Sequence, residues 1–185
     1  QDIVAGSLVH THNVAVGDLV LDHQFCVDAK PTEMLQESHR ASFMGYARPD
    51  GRVGTSNYIA IISSVNCSAT VARAIANHFN APGALAAWPN VDGVIALTHG
   101  GGCAFSTKTE GYEYLTRTIA GYAMHPNVGG VLMVGLGCEP NQIPAILQRH
   151  NLAEGDRLRT MTIQGSGGTR ATIAQGIAEL TTMMA

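Results

Sequence analysis

Four apolar runs, each ending in a turn marked by glycine or cysteine, alternate with segments of helical spacing over residues 58–183. No other feature constrains the fold as much. The runs cover 58–65, 91–97, 128–136 and 159–163. They lack polar/apolar alternation, as strands buried on both faces do. The segments between and after them, 68–79, 107–124, 142–150 and 169–183, repeat apolar residues at helical spacing. Val71, Ile75 and Phe79 mark the first, and Leu115, Ile119 and Tyr122 the second. Pro144 falls in the first turn of the third, where a missing N–H costs nothing. Strands alternating with helices predict an α/β domain: a parallel, Rossmann-like sheet of about four strands with helices on both faces.

In a parallel sheet every strand exit lies on the carboxyl edge, where open α/β sheets bind ligands. The four exits here are Asn66-Cys67-Ser68, His99-Gly-Gly-Gly-Cys103, Gly135-Leu-Gly-Cys138-Glu139 and Gln164-Gly-Ser-Gly167-Gly168-Thr169. Cys67, Cys103 and Cys138 are therefore expected to converge, with His99 and Glu139 beside them. Three thiolates can hold a soft metal or an iron–sulfur cluster. The spacing is no CxxC pattern, and small buried cysteines are the competing reading. His99 is either an acid–base group or a strand cap. Gly167, Gly168 and Thr169 open a helix and offer backbone N–H groups to an anion; a plain tight turn explains them equally well.

Before the first run, Arg48-Pro49-Asp50-Gly51-Arg52 reads as a turn. Arg48 and Arg52 either pair with Asp50 or clamp a carboxylate. Residues 1–21 read as two short strands broken at Gly17-Asp18, too little to stand alone. His10 and His12, two apart on a strand, share a face and suit a metal, a sugar-acid hydroxyl or plain surface. Residues 22–44 read as a linker.

Composition narrows the function. Hydrophobic residues make up 45% and charged residues 14% of the chain, against about 25% charged on average, which excludes disorder. A net charge of −3 offers nothing to nucleic acid or to an anionic membrane. No run approaches the ~18 apolar residues of a membrane helix. The start lacks a signal peptide pattern. Four cysteines are too few for a disulfide scaffold, so a cytoplasmic location is expected.

In order along the chain, these motifs resemble the altronate dehydratase and galactarate dehydratase family of sugar-acid hydro-lyases, which includes a sulfolactate sulfo-lyase subunit. The resemblance rests on Val9-His10-Thr11-His12-Asn13, Gly45-Tyr46, Arg48, Asp50-Gly51-Arg52, Asn57-Tyr58, Val65-Asn66-Cys67-Ser68-Ala69 and Thr98-His99 through Cys103. It continues through His125-Pro126-Asn127-Val128, Val134 through Glu139, and Ile163-Gln164 with Gly167-Gly168-Thr169. It implies that residues 1–21 are the tail of a small N-terminal β-clip (SAF-like) domain, 22–44 a linker, and 45–185 the α/β dehydratase domain. It further implies dehydration of an altronate- or galactarate-type acid to a 2-keto-3-deoxy acid, with a divalent metal, Fe2+, or an iron–sulfur cluster.

On the resemblance, His99 is the expected acid–base group and Glu139 a second candidate base, with Cys67, Cys103 and Cys138 the candidate metal or cluster ligands. Arg48, Arg52, Asn57, Gln164, Gly167, Gly168, Thr169, His10 and His12 are the expected substrate binders. A homo-oligomer, and contacts with a C-terminal region that relatives carry with a Cys-Gly-Gly-Ser-Asp motif, are expected partners. Ser56 departs from the family, where many relatives carry Arg. The competing functions are a metal or iron–sulfur module without lyase chemistry and a non-catalytic dimerisation or scaffold domain.

Overall fold

A computed structural model describes residues 33–104 and 106–185. The expected β-clip tail with His10 and His12 lies outside the described residues, as does the expected linker up to residue 32. Residues 33–42 belong to a first unit and hold one 3-10 turn, Glu37–His39. The second unit runs from Phe43 to Ala185.

That unit opens with a two-stranded antiparallel ribbon, β1 (Tyr46–Ala47) against β2 (Val53–Gly54). Its turn is closed by the Gly51 N–H on the Arg48 carbonyl at 2.9 Å, and Gly51 adopts φ +82°, which glycine tolerates. The sheet follows as β3 (Tyr58–Ser63), β4 (Gly93–Leu97), β5 (Val128–Gly135) and β6 (Leu158–Thr162), in the order β4-β3-β5-β6, with every pairing parallel. The helices are α1 (Ala69–Phe79), α2 (Glu110–Ala123), α3 (Ile143–Arg149) and α4 (Thr169–Met184). The expected alternation is present element for element.

Side-chain alternation along the central strands builds two cores. Ile59 and Ile61 of β3, with Leu132 and Val134 of β5, pack with Val71, Ile75 and Phe79 of α1 and Leu180 of α4. Ala60 and Ile62, with Val131 and Met133, pack on the other face with Ile119 and Ala123 of α2 and Ile143 and Ile146 of α3. Helices thus cover both faces. Ile61, Leu132 and Ile146 are fully buried, and truncating any of them to alanine costs about 2–5 kcal/mol.

One boundary and one helix face differ from expectation for local reasons. Thr109 caps α2, its hydroxyl accepting from the Tyr112 N–H at 3.4 Å, so the helix begins at Glu110 rather than Thr107. The buried stripe of α2 is Tyr112, Thr116, Ile119 and Ala123, while Tyr122 points outward, 49% exposed. Among the described residues no helix is long and apolar enough to cross a membrane.

Candidate active site

Strand order sets where a ligand can enter. From β3 the chain crosses to β4 on one side, then returns past β3 to β5 on the other. The exits of β3 and β5 therefore flank the topological switch point at the carboxyl edge. Glu139 closes that point. Its Oε1 accepts from Ser64 Oγ at 2.7 Å and the Leu136 N–H at 3.1 Å, and its Oε2 accepts from the Gly137 N–H at 2.6 Å. The residue is 4% exposed. Burial pushes its carboxyl up, but the hydrogen bonds from Ser64 and from backbone N–H groups outweigh burial, and its pKa lies below the ordinary value. Gly135 is required here, because a Cβ at that position would run into Glu139 Oε1.

The other exits are tied to the same frame. The Asn66 N–H donates to the Gly101 carbonyl at 2.8 Å, joining the turns after β3 and β4. Ser68 Oγ donates to the Val134 carbonyl at 2.6 Å, and Asn141 Nδ2 to the Ser64 carbonyl at 3.0 Å, joining β3 to β5. The Gln164 N–H donates to the Leu136 carbonyl at 2.9 Å, and Gln164 packs so closely on Gly137 (φ +121°) that a Cβ there would meet its amide oxygen at 2.7 Å. Gly167 and Gly168, at φ +85° and +105°, lead into α4, which no side chain caps. Thr169 is exposed.

His99 is held at both nitrogens. Nε2 lies 3.0 Å from the Ser63 carbonyl, and Nδ1 accepts from the Gly101 N–H at 3.2 Å. A carbonyl only accepts and an N–H only donates, so the proton sits on Nε2 and the lone pair on Nδ1. Among the described residues Cys67, Cys103 and Cys138 are free, exposed thiols. Loss of solvent, the Cys103 thiol as hydrogen-bond partner, and the neighbouring charges of Cys103 and Cys138 together push the Cys67 thiol above its ordinary value. Among the described residues, no group of three or more His, Cys, Asp or Glu side chains stands at ion-holding geometry.

Arg48, Arg52 and Asn57 are not brought to this edge. They lie before β3, at the amino edge, a strand length of about 20 Å away at ~3.3 Å per residue. Arg52 pairs with Asp50 at 2.7 Å and also donates to the Met124 carbonyl. The Arg52 guanidinium hydrogen-bonded to Asp50 holds the Asp50 carboxyl well down, at about 2. Arg48 donates through Nε to the Pro126 carbonyl at 2.7 Å and through Nη2 to Asn57 Oδ1 at 2.8 Å. Chain order alone requires this: residues that precede β3 lie at its amino end, opposite the strand exits.

Sequence reasoning missed three polar residues of the carboxyl edge. Ser64 and Asn141 carry the Glu139 frame, and the Asn141 oxygen is buried without a partner. Arg73 of α1 reaches Thr98, next to His99, at 2.8 Å. Serine and asparagine carry no distinctive signal in a strand exit, and an arginine on a helix reads as surface.

Residues 45–185 match the family described as "D-galactarate dehydratase/Altronate hydrolase, second domain". The chain belongs to this family. It is 32% identical to an altronate dehydratase of Escherichia coli over 170 residues, 88% of this chain and 32% of the relative. It is 30% identical to an altronate dehydratase of Bacillus subtilis over 77% of this chain and 28% of the relative. A (2R)-sulfolactate sulfo-lyase subunit beta of Chromohalobacter salexigens is 30% identical over 51% of this chain and 21% of its own length. The dehydratase-family chain thus spans about a third of the length of the curated dehydratases it matches. No solved structure matches it.

Proposed function

We propose that this chain provides the carboxyl-edge wall of the active site in a sugar-acid hydro-lyase. The substrate is an altronate- or galactarate-type acid and the product a 2-keto-3-deoxy acid. The family match across residues 45–185 carries this reading; the convergence of His99, the three thiols and the Gln164–Thr169 turn on one edge supports it. The reaction removes the proton from C2 and the hydroxyl from C3 as water, and the resulting enol collapses to the 2-keto group.

Cys67, Cys103 and Cys138 are the donors for Fe2+ or an iron–sulfur cluster. They suit iron in kind, as soft donors at three exits of one sheet edge, although they are not closed around an ion-sized space. When bound, iron would supply a Lewis acid for the carboxylate and the departing hydroxyl. The raised Cys67 thiol would release its proton on binding, so loading would strengthen with pH.

His99 is the proton carrier in this reading. The Nε2–H on the Ser63 carbonyl orients the ring, and Nδ1 keeps a lone pair behind one 3.2 Å bond from Gly101 that a substrate C–H can replace. Glu139, with both oxygens occupied by donors, holds the β5 exit rather than moving protons. The Gly168 N–H is spent on the Ile163 carbonyl at 2.8 Å, so the backbone N–H of Thr169 at the start of α4, with the Gln164 amide, faces the carboxylate. A cytoplasmic, homo-oligomeric enzyme completes the proposal.

The test uses the full-length protein that carries this chain, purified anaerobically with iron and assayed for 2-keto-3-deoxy acid from a panel of C6 sugar acids. His99→Ala is expected to lower kcat roughly 10²–10⁴-fold with iron retained. No keto acid from any C6 acid would sink the lyase reading. Full activity of His99→Ala would remove His99 from the chemistry.

A further inference from the structure

At the amino edge, away from the strand exits, a cavity of about 260 Å³ opens under the first turns of β3 and β5. Arg48, Arg157, Asn57, Asn90 and Asp156 line it, Ile59 forms part of its floor, and the last turn of α4 closes one side. Two guanidinium groups share this space. Among the described residues the ion pairs are Arg52–Asp50, Arg149–Glu113 and Arg159–Glu179, so neither Arg48 nor Arg157 has a carboxylate partner.

Both arginines are half-buried and held rigidly. Arg48 is pinned by Asn57, whose Nδ2 donates to the Asn90 carbonyl at 2.7 Å. Gly129 packs so closely on Asn57 that a Cβ would run into its Oδ1. Arg157 donates through Nη2 to the Val128 carbonyl at 2.8 Å, while its Nε is buried with no partner. Burial first, and the neighbouring charges of Arg48 and Arg52 after it, push the Arg157 guanidinium below its ordinary value, against the pull of Asp50.

Like charges held together and partly removed from water, with a donor left over, are stabilised by a counter-ion. We propose that this cavity binds a small oxyanion, a carboxylate or phosphate group held between Arg48 and Arg157, at a site separate from the strand-exit site. Asp156, exposed at the rim, repels the same anion and limits its affinity. The inference does not depend on the lyase reading.

The experiment titrates the whole chain, 15N-labelled, with inorganic phosphate in one arm and malonate in the other. The Nε–H signals of Arg48 and Arg157 report binding. A saturable shift of both signals is expected, and the arm that saturates at the lower concentration identifies the group as phosphate or carboxylate. Arg157→Gln is expected to weaken binding about tenfold, the effect of one charge-assisted contact. Asp156→Asn, which leaves the Val128 contact intact, is expected to tighten it roughly threefold by removing a like charge at high effective dielectric. Absence of a saturable shift in both arms would overturn the proposal. So would binding that neither substitution alters, which would place the anion elsewhere.

Discussion

Glu139 shows how one residue can be read for chemistry and serve geometry. Three donors converge on its two oxygens in a site 4% exposed. Glu139→Gln places an amide NH2 against at least one of those donors. We expect a loss of about 1–3 kcal/mol, read by chemical denaturation. Its pKa is lowered by folding, so its contribution is complete above the ordinary carboxylate value of 4.5 and is lost as pH falls through the lower folded value. The wild type should lose stability through that acid window by more than Glu139→Gln does; equal slopes would contradict the assignment. At His99 the partners select the Nε2–H tautomer of the neutral ring, and 15N imidazole shifts of the neutral form should show a bare Nδ1. A neutral ring protonated on Nδ1 instead would mean the ring sits differently. The sequence located both residues at strand exits. Gly101 bonds His99, and Leu136 and Gly137 bond Glu139, from two or three residues away; the remaining atoms are taken by Ser63 and Ser64, which arrive through the fold and leave no mark on local spacing.

Helix packing depends on small residues at contact points. On α4 the buried stripe is Thr172, Gly176, Leu180 and Met184, four apart. A Cβ at Gly176 would run into Ile75 Cδ1 of α1. Gly176→Ala gains helix propensity of about 1 kcal/mol but overpacks the α1–α4 contact, at about 1–3 kcal/mol. Thermal melts should show a net loss, and Ile75→Val in the same chain should recover part of it by removing Cδ1. If Ile75→Val adds to the loss instead, the two sites are not in contact. The helix itself was legible from spacing. The need for glycine at 176 was not, because it arises from a second helix about 100 residues away.

At the scale of the molecule, β3 and β5 are central, paired on both sides and covered on both faces, whereas β4 and β6 each have one open edge. Opening β3 or β5 requires breaking both cores. Native-state hydrogen exchange should therefore be slowest at the amides of Ile59 to Ile62 and Val131 to Val134, with β4 and β6 exchanging through smaller openings. Equal protection across the sheet would point to one global opening instead.

The sequence by itself determined the class of fold and the location of the thiols. Continuous apolar runs specify strands buried on both faces, helical spacing specifies the covering layers, and parallel strands send every exit to one edge. Only the tertiary structure decided strand order, and with it the switch point where Glu139 sits between β3 and β5. It also decided what meets the arginine motif. Arg48, Arg52 and Asn57 precede β3 in the sequence, and that order alone puts them at its amino end, opposite His99. Arg157 joins Arg48 there from more than a hundred residues further along. Local spacing sets periodicity and turns; which distant side chains meet is set by the order in which strands pair.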